Sequence, residues 1–104
     1  MSQWQDLCAL EELQQKERKV ISTQNGLELL LVNIDGDILA VENLCPHDNG
    51  QLHEGSIEGT EITCPRHGAR FCLKTGEVLA PPATEDIDNF PTRINGDRIE
   101  AFLP

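Results

Sequence analysis

Residues 45–67 read CPHDNGQLHEGSIEGTEITCPRH. A Cys-x-His step (Cys45, His47) is followed, after the sixteen residues 48–63, by a Cys-x-x-His step (Cys64, His67). Thiolate and imidazole are soft to borderline donors, and each short spacing turns both side chains of a loop toward one point. Two such loops predict a bound metal. Loops of this kind cannot be ordered by burial alone, so the metal and a rigid framework on either side must order them.

The flanks supply that framework as strands. In GLELLLVNIDGDILAVEN, two apolar runs, Leu29 to Ile34 and Ile38 to Val41, flank an Asp35-Gly36 pair of the kind that two-residue hairpin loops require. PTRINGDRIEAFLP repeats the signal with Asn95-Gly96, which predicts a type I′ turn at that pair. Near the N-terminus the pattern predicts a strand over Trp4 to Cys8, one helical turn near Glu11 to Leu13 and a strand near Val20 and Ile21. The class expected is all-β: a small antiparallel framework, with a loop-rich insert at approximately 44–86 carrying the four ligands.

A chain of 104 residues and 11.6 kDa fits a single domain, 1–104. No run of eighteen apolar residues occurs, and the first residues lack a basic, then apolar, leader pattern, so a cytoplasmic protein without a membrane partner is expected. Against 18 Asp plus Glu stand 8 Lys plus Arg, a formal charge of −10 that argues against nucleic acid and anionic membrane as partners. In a reducing compartment the four cysteines read as ligands or plain thiols before disulfides. Cys8 and Cys72 are expected in the core, unbridged, and His53, inside the spacer, as a packing residue.

The donor set fits either one structural zinc ion or two irons bridged by sulfide. Each loop offers one thiolate and one imidazole, a mixed distribution that suits a two-metal target, whereas zinc knuckles tend to pair Cys with Cys and His with His. Taken with its flanks, the pattern CPH, sixteen residues, CPRH resembles the Rieske iron-sulfur signature, C-x-H-x(15 to 17)-C-x-x-H. The resemblance extends over residues 4 to 103 and, in HGARFCLKTGEVLAPPA and FPTRINGDRIEAF, is similar to the small Rieske ferredoxins of bacterial ring-hydroxylating dioxygenase systems.

The resemblance implies the Rieske fold and one [2Fe-2S] cluster, with Cys45 and Cys64 on one iron and His47 and His67, toward solvent, on the other. It implies a monomeric one-electron carrier rather than an enzyme, taking electrons from an NAD(P)H-dependent flavoprotein reductase and passing them to a terminal Rieske non-haem iron oxygenase. A redox-sensing or accessory role, in iron-sulfur assembly or nitrite reduction, is the alternative. The proline loop that covers the cluster in the family maps onto Pro82, with Pro81 adjacent. Respiratory relatives bridge their loops with a disulfide; here those slots hold Asn or Gly and Arg66, so that bridge is missing. High-potential relatives carry Ser and Tyr where this chain has Ala69 and Phe71, which implies a potential at the low end of the Rieske range, about −150 mV. Gly68 is expected to let backbone N–H groups approach the cluster or simply to supply the positive φ of the turn, and Pro46 and Pro65 to stiffen the loops. Arg66 and Arg70 read as solvated charge balancing Glu54 and Glu58, with lowering the cost of adding an electron, or contacting an acidic patch on a partner, as the alternative.

Overall fold

The computed structural model describes residues 3–14, 17–24 and 26–104. Among them eleven strands follow one another: β1 (Gln3–Ala9), β2 (Arg18–Ser22), β3 (Glu28–Ile34), β4 (Asp37–Glu42), β5 (Ser56–Glu58), β6 (Glu61–Thr63), β7 (Arg70–Cys72), β8 (Val78–Ala80), β9 (Asn89–Phe90), β10 (Thr92–Asn95) and β11 (Arg98–Leu103). They form three antiparallel sheets, ordered β2-β3-β4-β9, β1-β11-β10 and β5-β6-β7-β8. The all-β expectation holds, and no helix among the described residues is long and apolar enough to cross a membrane.

The unbroken run of β3 places that strand at the centre. Side chains alternate across a strand, and one that is apolar at consecutive positions must be covered on both faces. Leu30 and Val32 point into a core shared with Ile62 and Phe71 of the third sheet and with Leu73, which directly follows β7. Leu29 and Leu31 point the other way, toward Cys8, Ile99, Ala101 and Leu103 of the β1-β11-β10 sheet. The central sheet therefore has a sheet packed on each side.

Register settles the turns. Ile34 pairs with Asp37, so Asp35 and Gly36 are the central residues of the first hairpin, with φ of 54° and 93°. The two-residue loop is as expected, and its double positive φ makes it a type I′ turn. The second hairpin departs from its expectation: Asn95 pairs with Arg98, which keeps Asn95 in the strand and makes Gly96 and Asp97 the central pair. Of those two only Gly96 has positive φ, at 64°, the arrangement favoured when glycine comes first. Near the N-terminus the expected helical turn falls one residue early, at Leu10–Glu12, because the Glu12 carboxylate reaches back 2.8 Å to the N–H of Ala9 and closes it there. Leu13 is left to fill the core.

The chain leaves the central sheet after Glu42, builds the whole β5–β8 sheet and returns as β9. Ala83 and Ile87 anchor the returning segment in the core of Phe71. Gly76 makes the close approach possible: it adopts φ of 80°, and a Cβ there would overlap the carbonyl oxygen of Ile87. Phe71, fully buried where the two sheets meet, is the largest side chain in this core. Phe71→Ala is expected to lower the unfolding free energy by about 3–5 kcal/mol, read as a lower urea midpoint with an unchanged slope.

Candidate metal centre

The two candidate loops lie side by side, one between β4 and β5 and the other between β6 and β7. Both close around their cysteine with the same hydrogen bonds. The Cys45 N–H donates to Gly50 O at 2.8 Å, and Cys45 O accepts from the Asn49 N–H at 2.8 Å. In the second loop the Cys64 N–H donates to Ala69 O at 2.6 Å, and Cys64 O accepts from the Gly68 N–H at 3.1 Å. The fifth residue of each turn is left-handed, Asn49 at φ 59° and Gly68 at φ 79°. Asn and Gly are the residues that adopt this conformation at least cost. This is the physical reason for an Asn in CPHDN and a Gly in CPRHG.

The closed turns aim the sulfurs inward. Cys45 and Cys64 are 0% and 1% exposed and belong to the same hydrophobic core as Leu30, Ile62 and Phe71. They are free thiols, and no disulfide occurs among the described residues. Burial pushes the Cys45 thiol up, against the N–H of His47, which favours the thiolate. The imidazoles lie outward: His47 and His67 are exposed, with ring centroids 5.1 Å apart at 84°. The four expected ligands are thus brought together, thiols inside and imidazoles outside.

This separation bears on what the donors could hold. A single tetrahedral ion with bonds of about 2.0–2.3 Å needs its four donor atoms within roughly 4 Å of one another. The sulfurs of Cys45 and Cys64 and a carboxylate oxygen of Asp48 lie within 4.8 Å of one another, and no imidazole nitrogen joins that group among the described residues. A pair of thiols at one end and a pair of imidazoles at the other fits a centre with two metals better than one zinc.

Arg66 is where the sequence reading needs correction. It does not balance Glu54 and Glu58 but reaches into the other loop, with Nε 2.5 Å from Asp48 Oδ2, Nη2 3.2 Å from Asp48 Oδ1 and Nη1 2.8 Å from Gln51 O. Its guanidinium and the Gly50 N–H hold the Asp48 carboxyl well below the usual carboxylate range. Arg70 instead pairs at 2.6 Å with Glu61 on its neighbouring strand and stays exposed. His53 is a packing residue, as expected, with Nδ1 3.2 Å from Asn43 Nδ2. Cys8 is buried and Cys72 only half-buried, at the edge rather than inside the core. Pro81 and Pro82, joined by a cis bond and exposed, directly follow β8.

Residues 3–91 match the family model of the Rieske [2Fe-2S] domain. The chain is 38% identical over 96 residues to the ferredoxin component of the naphthalene 1,2-dioxygenase system of Pseudomonas aeruginosa, covering 92% of this chain and 91% of that one. It is 34% identical to the 3-phenylpropionate/cinnamic acid dioxygenase ferredoxin subunit of Shigella flexneri, covering 93% and 91%. Among solved structures, the Sphingomonas yanoikuyae B1 ferredoxin superposes with a TM-score of 0.90 at 29% identity, over 98% of this chain and all of that one.

The sequence pattern did not single out Asn43, which braces the first loop. Its side chain accepts from the Leu52 N–H at 2.8 Å and donates to Glu28 Oε1 at 2.8 Å, while its own N–H donates to Glu28 O. An Asn directly after an apolar strand is the one signal it leaves in the sequence. With Leu52 fully buried, Asn43→Ala strands that N–H, and the unfolding free energy should fall by about 1–3 kcal/mol. Faster hydrogen exchange at the Leu52 amide, ahead of that at β3, is the measurement that checks it.

Proposed function

The chain belongs to the Rieske [2Fe-2S] domain family, and from that premise we propose that it is the ferredoxin component of a ring-hydroxylating dioxygenase system. It is an electron-transfer component, not a catalyst, and relays electrons from an NAD(P)H-dependent flavoprotein reductase to a terminal Rieske non-haem iron oxygenase. The names of its relatives at 34% and 38% identity support this reading. So does one observation of the site: two buried thiols stand behind two exposed imidazoles.

The cofactor is one Rieske [2Fe-2S] cluster, which when bound takes up and returns a single electron. Cys45 and Cys64 would hold it from the core side, with segment 44–86 as the cluster-binding subdomain. Their burial keeps water from the sulfurs, and the closed turns fix their backbone. His47 and His67 would hold it from the solvent side, and His67, its side chain half exposed, brings the cluster edge to the surface where a partner can dock. Transient electron-transfer contacts are small, so a narrow edge is sufficient. We place the protein in the cytoplasm as a monomer.

Ala69 and Phe71 are both fully buried and carry no hydroxyl toward the site. Without those donors the extra electron is less stabilised, and the midpoint potential should lie near −150 mV, the low end of the range. The purified protein is expected to be red-brown and to be reduced by NADH through a flavoprotein reductase. It should then be reoxidised by the terminal oxygenase of such a system. A colourless protein, or a midpoint above about +100 mV at neutral pH, would overturn this reading.

A further inference from the structure

The two cysteine turns are alike in backbone, but their side chains alternate. The residues two and three places after the cysteine are His47 and Asp48 in the first loop, and Arg66 and His67 in the second. When the loops face each other, imidazole meets imidazole and carboxylate meets guanidinium. The second pair is a two-armed contact, Nε and Nη2 of Arg66 on the two oxygens of Asp48, the geometry in which an arginine fork is strongest and most directional. Its third arm, Nη1, holds Gln51 O, so one guanidinium ties the second loop to the first at two places. Nη2 also lies 3.4 Å from Cys64 Sγ, within hydrogen-bonding range of sulfur.

Gly50 makes room for this contact. A Cβ at Gly50 would overlap the Arg66 guanidinium, although the backbone of Gly50 is not in the left-handed region and could carry a side chain without strain. A side chain there would have to push the guanidinium aside, whereas the turn itself does not demand glycine.

We propose that Arg66 and Asp48 form a strap across the two ligand loops, which holds the donor set closed and places a positive N–H donor on the Cys64 sulfur. Arg66 is a positioning residue that also sets the electron affinity of the site. The proposal rests on the reading that these loops carry the cluster. A cation and an N–H at a ligating sulfur stabilise added negative charge, so removing them lowers the midpoint potential. Loosening the loops speeds loss of the metal, because ordering the loops and holding the metal are one free energy.

The test uses the full chain as wild type, Arg66→Ala, Gly50→Ala and the double variant, loaded with the cluster. Visible absorbance gives loading, a redox titration gives the midpoint, and decay of the absorbance in excess chelator gives the rate of loss. Arg66→Ala should lower the midpoint and quicken loss several-fold. Gly50→Ala should do the same by displacing the guanidinium, yet add nothing in the Arg66→Ala background, which has no guanidinium to displace. An unchanged midpoint in Arg66→Ala, or a Gly50→Ala effect of equal size in both backgrounds, would overturn the strap while leaving the cluster assignment intact. A wild type that takes up no cluster would overturn both. Should Arg66→Ala lose its cluster too fast to titrate, Arg66→Lys serves in its place, keeping the charge without the fork. Its cluster should be lost faster than that of the wild type, and a cluster as durable as the wild type's would also overturn the strap.

Discussion

Everything in the site depends on the burial of two sulfurs in the molecule's main core. Cys45 and Cys64 pack with Leu30, Val32, Phe71 and Ile87, so the contacts that join the central sheet to the β5–β8 sheet also fix the positions of the thiols. Closely packed interiors transmit small displacements, and a loosened core would move the donors as well as cost stability. The site is therefore the outer end of the core, not a loop attached to the fold. This explains why a small domain with only three phenylalanines and one tryptophan devotes its largest buried aromatic, Phe71, to this junction.

Around the sulfurs the chain uses one backbone solution twice. A closed turn needs a left-handed residue four places after the cysteine, and Asn49 and Gly68 provide it. In the facing turns the second position of one meets the third position of the other, so identical turns would set each histidine against an unlike side chain. Shifting the histidine by one place, from the second position after Cys45 to the third after Cys64, lets the histidines meet and leaves opposite charges to meet beside them. The uneven spacing of the motif, Cys-x-His against Cys-x-x-His, thus has a geometric consequence as well as a chemical one.

The parts legible in the sequence were those governed by near neighbours along the chain. The ligand spacing marked the loops, and Asp35-Gly36 between two apolar runs marked a hairpin whose turn residues were correctly placed. Asn95-Gly96 looked equivalent but was misplaced by one residue, because the choice between Asn95-Gly96 and Gly96-Asp97 is made by the pairing of Asn95 with Arg98 across the strands. The Glu12 side chain similarly shifted the first turn through a bond back to Ala9. Arg66 was misread for a deeper reason. Its partner Asp48 is eighteen positions away, and nothing local tells a solvated arginine from one that crosses to a facing loop. Asn43 was missed on similar grounds, since its value lies in bonds to Leu52 and Glu28 that only the folded loop brings within reach.

In the proposed site each loop gives one thiol and one imidazole to a single cluster, with Cys45 and Cys64 on the core side and His47 and His67 at the surface. This assignment is tested most directly by pulsed electron paramagnetic resonance of the reduced protein carrying nitrogen-15 histidine. Two strongly coupled histidine nitrogens are expected, and each should disappear with one of His47→Ala or His67→Ala in whatever paramagnetic cluster remains, while His53→Ala leaves both unchanged. A reduced centre without histidine coupling, or a coupling that His53→Ala removes, would contradict the assignment.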